Sequence, residues 1–287
     1  MIEVLRPGPL TTIQDLGRPG LAALGVGPSG AADRRSAALA NRLVGNLDTA
    51  ACLETTYGGL SVRFAARARV AVTGAPCPIT RGTRGEAMNA PFTVVAGETV
   101  TLGPPSAGVR SYLAVRGGIG VEPILGSRST DVLSGVGPTA PAAGTRLPIG
   151  TDLGSWSTVD VAPVAGPPRG ELELRILPGP RDDWFAPEAL TRLVSERYTV
   201  SAESNRVGAR LDGPALTWAR EEELPSEGTV VGAIQVPPSG LPVIFLADHP
   251  VTGGYPVIGV LVTADVPVAA QAVPGQRIRF RRYSSRR

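Results

Sequence analysis

Glycine and proline interrupt this chain too often for any long helix to form. The 287 residues include 36 glycines and 28 prolines, so a turn-former falls at better than every fifth position. Proline also removes the backbone donor that a helix interior or a central strand requires. What survives between interruptions is short and rich in Val, Ala and Thr, while aromatic residues make up only 5%. Many short strands closed into antiparallel sheets satisfy such a pattern; a helical bundle does not. The length suffices for two cores, and a 43% apolar, 18% charged composition is that of a globular chain.

The expectation is therefore a mainly β protein of two barrel-like domains. Strands are expected at Met1–Leu5, Leu60–Phe64, Arg69–Thr73, Phe92–Ala96, Thr99–Leu102 and Ser111–Arg116. A second series follows at Glu171–Leu177, Val230–Val236, Val243–Ala247, Gly259–Thr263 and Arg277–Phe280. Between Met1–Leu5 and the first helix, Leu10–Gly20 reads as a dense, polar turn region. Only two helices are expected. One is Ala31–Val44, with Ser29 as cap and Ala37, Ala40, Leu43 and Val44 on one face; the other is Pro187–Arg197. Gly135–Gly150 reads as a flexible loop. Ala162–Gly170 reads as the linker between domains 1–165 and 166–287.

Residue counts exclude whole chemistries. The chain has no lysine: all 28 basic residues are arginine. It can form no Schiff base, no P-loop lysine contact and no biotinyl-lysine of its own. The single histidine, His249, rules out a His-rich metal site, and no metal is expected. Cys52 and Cys77 are too few for a zinc framework and read as small buried hydrophobes. The net charge of +3 is concentrated at the end, where six arginines (277, 279, 281, 282, 286 and 287) fit a last strand with solvated arginines and a frayed tail. A nucleic-acid arm would need aromatic interleaving, which is missing. No apolar run reaches membrane-spanning length and no signal sequence opens the chain, so a cytoplasmic protein is expected.

Three segments carry candidate chemistry. Gly25–Gly30 (G-V-G-P-S-G) matches a dinucleotide-binding pattern, yet no strand precedes it and no alternating β/α pattern follows. The helix start behind it remains an anion-site candidate through its N–H groups, with Ser29 helping. A similar string, Q-V-P-P-S-G at Gln235–Gly240, is an echo that two related barrels would leave. Glu86–Asn89 looks like a biotin-acceptor loop with asparagine in place of lysine. Leu246–Pro256 is the densest cluster, placing Asp248, His249, Thr252 and Tyr255 on a loop where Gly253 and Gly254 let a ligand approach the backbone. The competing reading of that cluster is a tight turn with a capping aspartate.

Several longer strings are more specific. G-P-L-T-T-I-Q-D-L-G-R-P-G, then G-V-G-P-S-G-A-A-D, N-R-L-V-G-N, R-S-Y-L-A-V-R-G-G-I, L-G-S-R-S-T, S-N-R-V-G-A-R-L-D-G, E-G-T-V-V-G-A-I-Q-V-P-P-S-G and T-G-G-Y-P occur in this order across almost the whole chain. Together they resemble the biotin-dependent carboxyltransferase family, which includes the second subunit of allophanate hydrolase and the C-type subunit of 5-oxoprolinase. The resemblance implies two cyclophilin-like β-barrel subdomains and a B-type partner, in some systems joined by a lactam-utilisation protein of the A type. It implies ATP-dependent opening of 5-oxoproline to glutamate, with ATP shared with the partner. The alternatives are carboxyl transfer or amide hydrolysis in urea metabolism, and non-catalytic antagonism of a histidine-kinase inhibitor.

The resemblance also supplies site candidates. Asp15 and Asp248 match the family strings and are the acid/base candidates, and His249, which departs from them, is the proton-donor candidate. Thr12, Gln14, Arg18, Ser29, Gly30, Asp33, Arg116, Ser127, Arg128, Gln235, Ser239, Thr252, Gly253, Gly254 and Tyr255 are the substrate- and anion-binding candidates, with Arg18, Arg116 and Arg128 as the charge contacts. One departure stands out. Members commonly read D-R-Q-T-T-G-G-Y-P where this chain has D-H-P-V-T-G-G-Y-P, so His249 replaces an arginine and the substrate assignment is the part most affected.

Overall fold

The computed structural model describes residues 1–220 and 222–284. Its described residues form two compact units. The first comprises Met1–Pro19, Ser29–Asp131 and Gly135–Pro167; the second runs from Pro168 onward and includes Gly20–Pro28 and Val132–Ser134.

The first unit contains β1 (Ile2–Pro7), β2 (Leu10–Gln14), α1 (Arg34–Val44), β3 (Cys52–Thr56), β4 (Leu60–Phe64), β5 (Ala68–Gly74), β6 (Ile79–Arg81), β7 (Arg84–Glu86), β8 (Pro91–Val94), β9 (Thr99–Leu102), β10 (Arg110–Val115) and β11 (Arg146–Leu147). They make a six-stranded sheet in the order β11-β1-β4-β9-β6-β7 and a five-stranded sheet in the order β2-β3-β10-β5-β8. The two sheets share one core. Ile2, Val4, Val62, Phe64 and Val100 from the first meet Ile13, Leu53, Val70, Val72 and Leu113 from the second. On its other face the five-stranded sheet carries α1, whose Ala37, Ala40, Leu43 and Val44 pack on Cys52, Ala71, Tyr112 and Ala114. Strand β10, covered on both faces, is buried at all six positions, as expected for a central strand between two apolar layers.

The second unit holds β12 (Leu172–Pro178), α2 (Ala189–Ser195), β13 (Arg197–Val200), β14 (Gly208–Asp212), β15 (Glu227–Gly228), β16 (Ala233–Gln235), β17 (Val243–Phe245), β18 (Thr252–Gly253), β19 (Val257–Leu261), α3 (Val266–Ala270) and β20 (Arg277–Arg282). Seven of these strands close a barrel in the order β12-β19-β16-β17-β14-β13-β20. Closure uses a parallel pair, β12 with β20, beside otherwise antiparallel ladders. Both closing strands alternate up to their last residue, with Leu172, Leu174 and Ile176 inward on one and Ile278 and Phe280 inward on the other. Closure removes the exposed edge that so many short strands would otherwise leave. The mainly β class is therefore as expected.

Several local expectations change. Leu10–Gln14 is strand β2, not a turn, because four of its five residues are buried beside β3. Helix α1 starts at Arg34 under an Asp33 cap, not under Ser29. Ser29 has φ +50° and takes a left-handed conformation outside the helix. The Gly135–Gly150 loop is pinned: β11 pairs with β1, and Val4 exchanges backbone hydrogen bonds with Gly144 and Thr145. A third short helix, α3, was not foreseen. Arg277–Arg282 is a strand as expected, and Arg286 and Arg287 lie outside the described residues. Cys52 and Cys77 are free and buried, and burial raises both thiol pKa values. No helix among the described residues is long and apolar enough to cross a membrane.

Candidate functional site

In the first unit, the turn after β2 and the segment 127–130 meet at one carboxylate. Asp15 Oδ1 accepts from the Ser127 hydroxyl (2.6 Å), the Ser129 hydroxyl (2.5 Å) and the Gly17 N–H (2.8 Å), while Oδ2 accepts from the Arg128 N–H (2.6 Å). Four donors from two segments more than a hundred residues apart satisfy one small anion, so Asp15 sets the shape of both loops. Gln14, fully buried, donates to the Thr12 hydroxyl (3.0 Å) and the Thr130 carbonyl (2.8 Å). The Ser29 hydroxyl bonds the same carbonyl (3.3 Å), and Arg18 donates to the Ser129 and Ile124 carbonyls. Gly30 has φ +98°, and a Cβ there would lie 2.9 Å from the backbone of Leu16 and Gly17. Only glycine allows this close backbone approach without strain.

Arg128 reaches the Val121 carbonyl (2.6 Å) and Asp152 (3.1 Å). Arg116 makes its contacts elsewhere, donating to the Val44 and Gly45 carbonyls at the end of α1 (3.0 and 2.9 Å). Its guanidinium and that of Arg69 lie 4.6 and 4.5 Å from the Trp156 ring centre. Eight candidates of this unit thus converge around Asp15: Thr12, Gln14, Asp15, Arg18, Ser29, Gly30, Ser127 and Arg128. Arg116 anchors the helix end instead.

The helix start does not fit an anion. Asp33 caps it, accepting from the Ser36 N–H (3.1 Å) and hydroxyl (2.6 Å). The buried Glu54 takes the Ala32 N–H (2.9 Å) and the Tyr112 hydroxyl (2.8 Å), and that hydroxyl in turn accepts from the Asp33 N–H (2.7 Å). Two carboxylates therefore stand where an anion would sit, and the expected anion site is corrected: the positive end of α1 is used internally. Burial, with Glu54 adding to it, raises the Tyr112 pKa well above the tyrosine range.

In the second unit, Asp248 and Arg206 form an ion pair whose side chains are 0% and 1% exposed. The pairing is bidentate, at 2.8 Å to Oδ2 and 2.9 Å to Oδ1, and the Val132 N–H adds a third bond at 3.0 Å. His249 beside it is buried, stacks on Phe245 (centroids 5.8 Å, 14°) and directs Nδ1 to the Pro250 carbonyl (2.8 Å) and the Thr229 hydroxyl (3.0 Å). A carbonyl only accepts, so Nδ1 carries the proton and, in the neutral ring, Nε2 is the basic nitrogen.

Thr252 and Gly253 form β18, paired with Glu227 and Gly228 of β15. The Gln235 amide donates to the Tyr255 carbonyl (3.1 Å), and a Cβ on Gly253 would lie 2.6 Å from that amide nitrogen. Ser239, Gly254 and Tyr255 line a surface cleft of about 700 Å³ with Trp218.

Sequence reasoning missed Ser129, Glu54, Arg206 and Thr229. Ser129 and Arg206 lie inside the quoted strings L-G-S-R-S-T and S-N-R-V-G. The signal for Glu54 was weaker: one carboxylate in the otherwise uncharged strand C-L-E-T-T, where a buried acid needs a partner.

Comparison with known proteins agrees with this architecture. The family model described as "Carboxyltransferase domain, subdomain A and B" matches residues 24–282. The C-type subunit of 5-oxoprolinase from Escherichia coli (strain K12) is 37% identical across 98% of this chain and 90% of its own length. The crystal structure of TTHA0988 superposes with a TM-score of 0.88 at 35% identity, over 98% of this chain. That of the Kluyveromyces lactis urea amidolyase superposes with a TM-score of 0.91 at 30% identity, over 99% of this chain. This chain spans just over half of the TTHA0988 chain and about a fifth of the urea amidolyase chain, 55% and 19%. On the family model and the near end-to-end match to the E. coli protein, the chain belongs to the carboxyltransferase domain, subdomain A and B, family.

Proposed function

We propose that this protein is the C-type subunit of a 5-oxoprolinase complex in the cytoplasm, acting with a B-type partner to open 5-oxoproline to glutamate at the expense of ATP. The observation that carries the reading is the match to the E. coli C-type subunit of 5-oxoprolinase over nine-tenths of that subunit's length. The match to urea amidolyase covers a small part of a much longer chain. Carboxyl transfer in urea metabolism is the second reading, favoured by the family's description and the high TM-score of that comparison.

Opening a lactam requires the amide to be made electrophilic, charge on its oxygen to be met by donors, and a proton to reach the leaving nitrogen. In this reading Arg18 and Arg128 are the anion contacts, and Asp15 holds the loops that carry them. Thr12, Gln14, Ser29 and Gly30 support those loops from the buried side, and Arg116 is a positioning residue at the end of α1. Within the second unit Asp248 pairs with Arg206 and holds it in place, and His249, with Nδ1 directed to the Pro250 carbonyl, is that unit's proton-transfer candidate. In this reading ATP is held jointly with the partner, and the start of α1, occupied by Asp33 and Glu54, takes no part.

The test is ATP hydrolysis by this chain mixed with its B-type partner, with and without 5-oxoproline and then with a lactam-utilisation protein. ATP cleavage that rises with 5-oxoproline and needs both chains is the expected result. A stable complex with no turnover would reject the reading in favour of urea-type chemistry or a regulatory role.

A further inference from the structure

The cleft on the second unit differs in character from the polar cluster around Asp15. Its aromatic wall is Trp218 and Tyr255, whose ring centres lie 6.4 Å apart at 52°. Tyr255 is 44% exposed, and the Gln235 bond to its carbonyl fixes its backbone. The turn Pro238-Ser239-Gly240 also lines the cleft and is tightly packed: Gly240 has φ +76°, and a Cβ there would meet Ala215 Cβ at 2.8 Å.

The charges in this cleft run against the rest of the chain. Arg220, Glu222 and Glu223 line it, and Arg220 is held by Asp183 (2.6 Å), by Glu222 (3.4 Å) and by stacking over Trp184 (5.2 Å). These four charged groups sum to −2 on a chain whose formal net charge is +3. Glu223 makes no ion pair or side-chain hydrogen bond among the described residues, so its charge is available. The Trp218 indole N–H is enclosed and has no acceptor among the described residues, which leaves a donor to be satisfied.

Aromatic faces attract cations, carboxylates neutralise them, and an unmet N–H takes a carbonyl. The volume of about 700 Å³ is that of a small-molecule site. We infer that this cleft binds a small organic cation that also carries a carbonyl group, the chemistry of an arginine- or lysine-type amide. The cation lies against Trp218 and Tyr255 and pairs with Glu223, and binding turns the Trp218 ring so that its enclosed N–H meets the ligand carbonyl. An anionic lactam is repelled from the same cleft, so this site is separate in chemistry from the reading proposed above and does not depend on it.

Isothermal titration of the full chain with N-acetylarginine amide tests the inference, with the citrulline analogue as neutral isostere and choline as a cation without the carbonyl. Saturable 1:1 binding is expected, weakened about threefold or more for citrulline and by Glu223→Gln, and about two- to fivefold by Trp218→Phe. Choline is expected to bind more weakly than the arginine amide. Glu223 is exposed, so its variant folds normally and keeps the test valid if Trp218→Phe does not. Absence of saturable binding, equal affinity for the citrulline analogue, or an unchanged Glu223→Gln would overturn the site. ATP hydrolysis plays no part in the readout, so either proposal can fail alone.

Discussion

Asp15 and Asp248 each anchor one unit, yet they are neutralised in opposite ways. Asp15 is half-buried and takes four neutral donors, two hydroxyls and two backbone N–H groups. Asp248 is fully buried and takes a guanidinium bidentately. The first arrangement distributes one charge over two loops and leaves no charge behind when the carboxylate is removed. In the second, its removal takes a bidentate partner away from a buried cation. An aspartate on a loop is thus a staple in one unit and half of a buried ion pair in the other, although both read alike in sequence.

The largest effect should come from the ion pair. Asp248→Ala removes a bidentate carboxylate from the buried Arg206 guanidinium and should lower stability by about 3–5 kcal/mol, read by urea denaturation. Replacing both partners with apolar residues of similar size, Arg206→Met with Asp248→Leu, should recover most of that loss. If the double variant is no better than the single one, the contrast between the two aspartates is wrong.

Asp15→Ala should cost less, about 1–3 kcal/mol, and should raise hydrogen exchange selectively at Gly17 and Arg128, the two amides it holds. Exchange unchanged at both would show that Asp15 is not the organiser of those loops. Gly30→Ala sharpens the same point from the backbone side. With φ +98° and a 2.9 Å approach to Leu16 and Gly17, it should cost about 1–3 kcal/mol. A neutral result would mean that the loop can relax away from Asp15.

The smallest expected effect is an alkaline one. Burial raises Tyr198 to about 12 and Tyr112 well above its ordinary range. A tyrosine whose folded pKa exceeds its unfolded value stabilises the fold below the unfolded pKa, near 10. That contribution fades as pH rises from there through the folded value. Absorbance titration at alkaline pH should therefore leave these two phenols silent until the chain unfolds. Early ionisation of either would contradict the packing of Tyr112 against Glu54 or of Tyr198 against Phe280 (5.9 Å).

Much of the fold was legible because spacing alone carries it. Alternation in L-E-L-R-I and R-I-R-F-R places the closing strands of the barrel, and Ala37, Ala40, Leu43 and Val44 place α1 on its sheet. Leu10–Gln14 was misread because T-T-I-Q carries polar residues that are buried only when β3 arrives beside them. The cap of α1 moved from Ser29 to Asp33 for a similar reason: Gly30 packs on Leu16 and Gly17, holding Ser29 outside the helix. The candidate residues around Asp15 could be named from their strings, but Ser129, Glu54 and Arg206 gain their roles only from partners distant in the chain.

By itself, the sequence determined composition-level outcomes: short strands, no lysine chemistry, one histidine, and a family whose strings run nearly end to end. Those follow from local backbone preference and from which functional groups exist at all. Tertiary structure alone decided which polar groups meet. Whether a carboxylate is saturated by hydroxyls, locked to a guanidinium or left open in an aromatic cleft depends on contacts across a hundred residues or on burial, and neither is encoded in any local pattern.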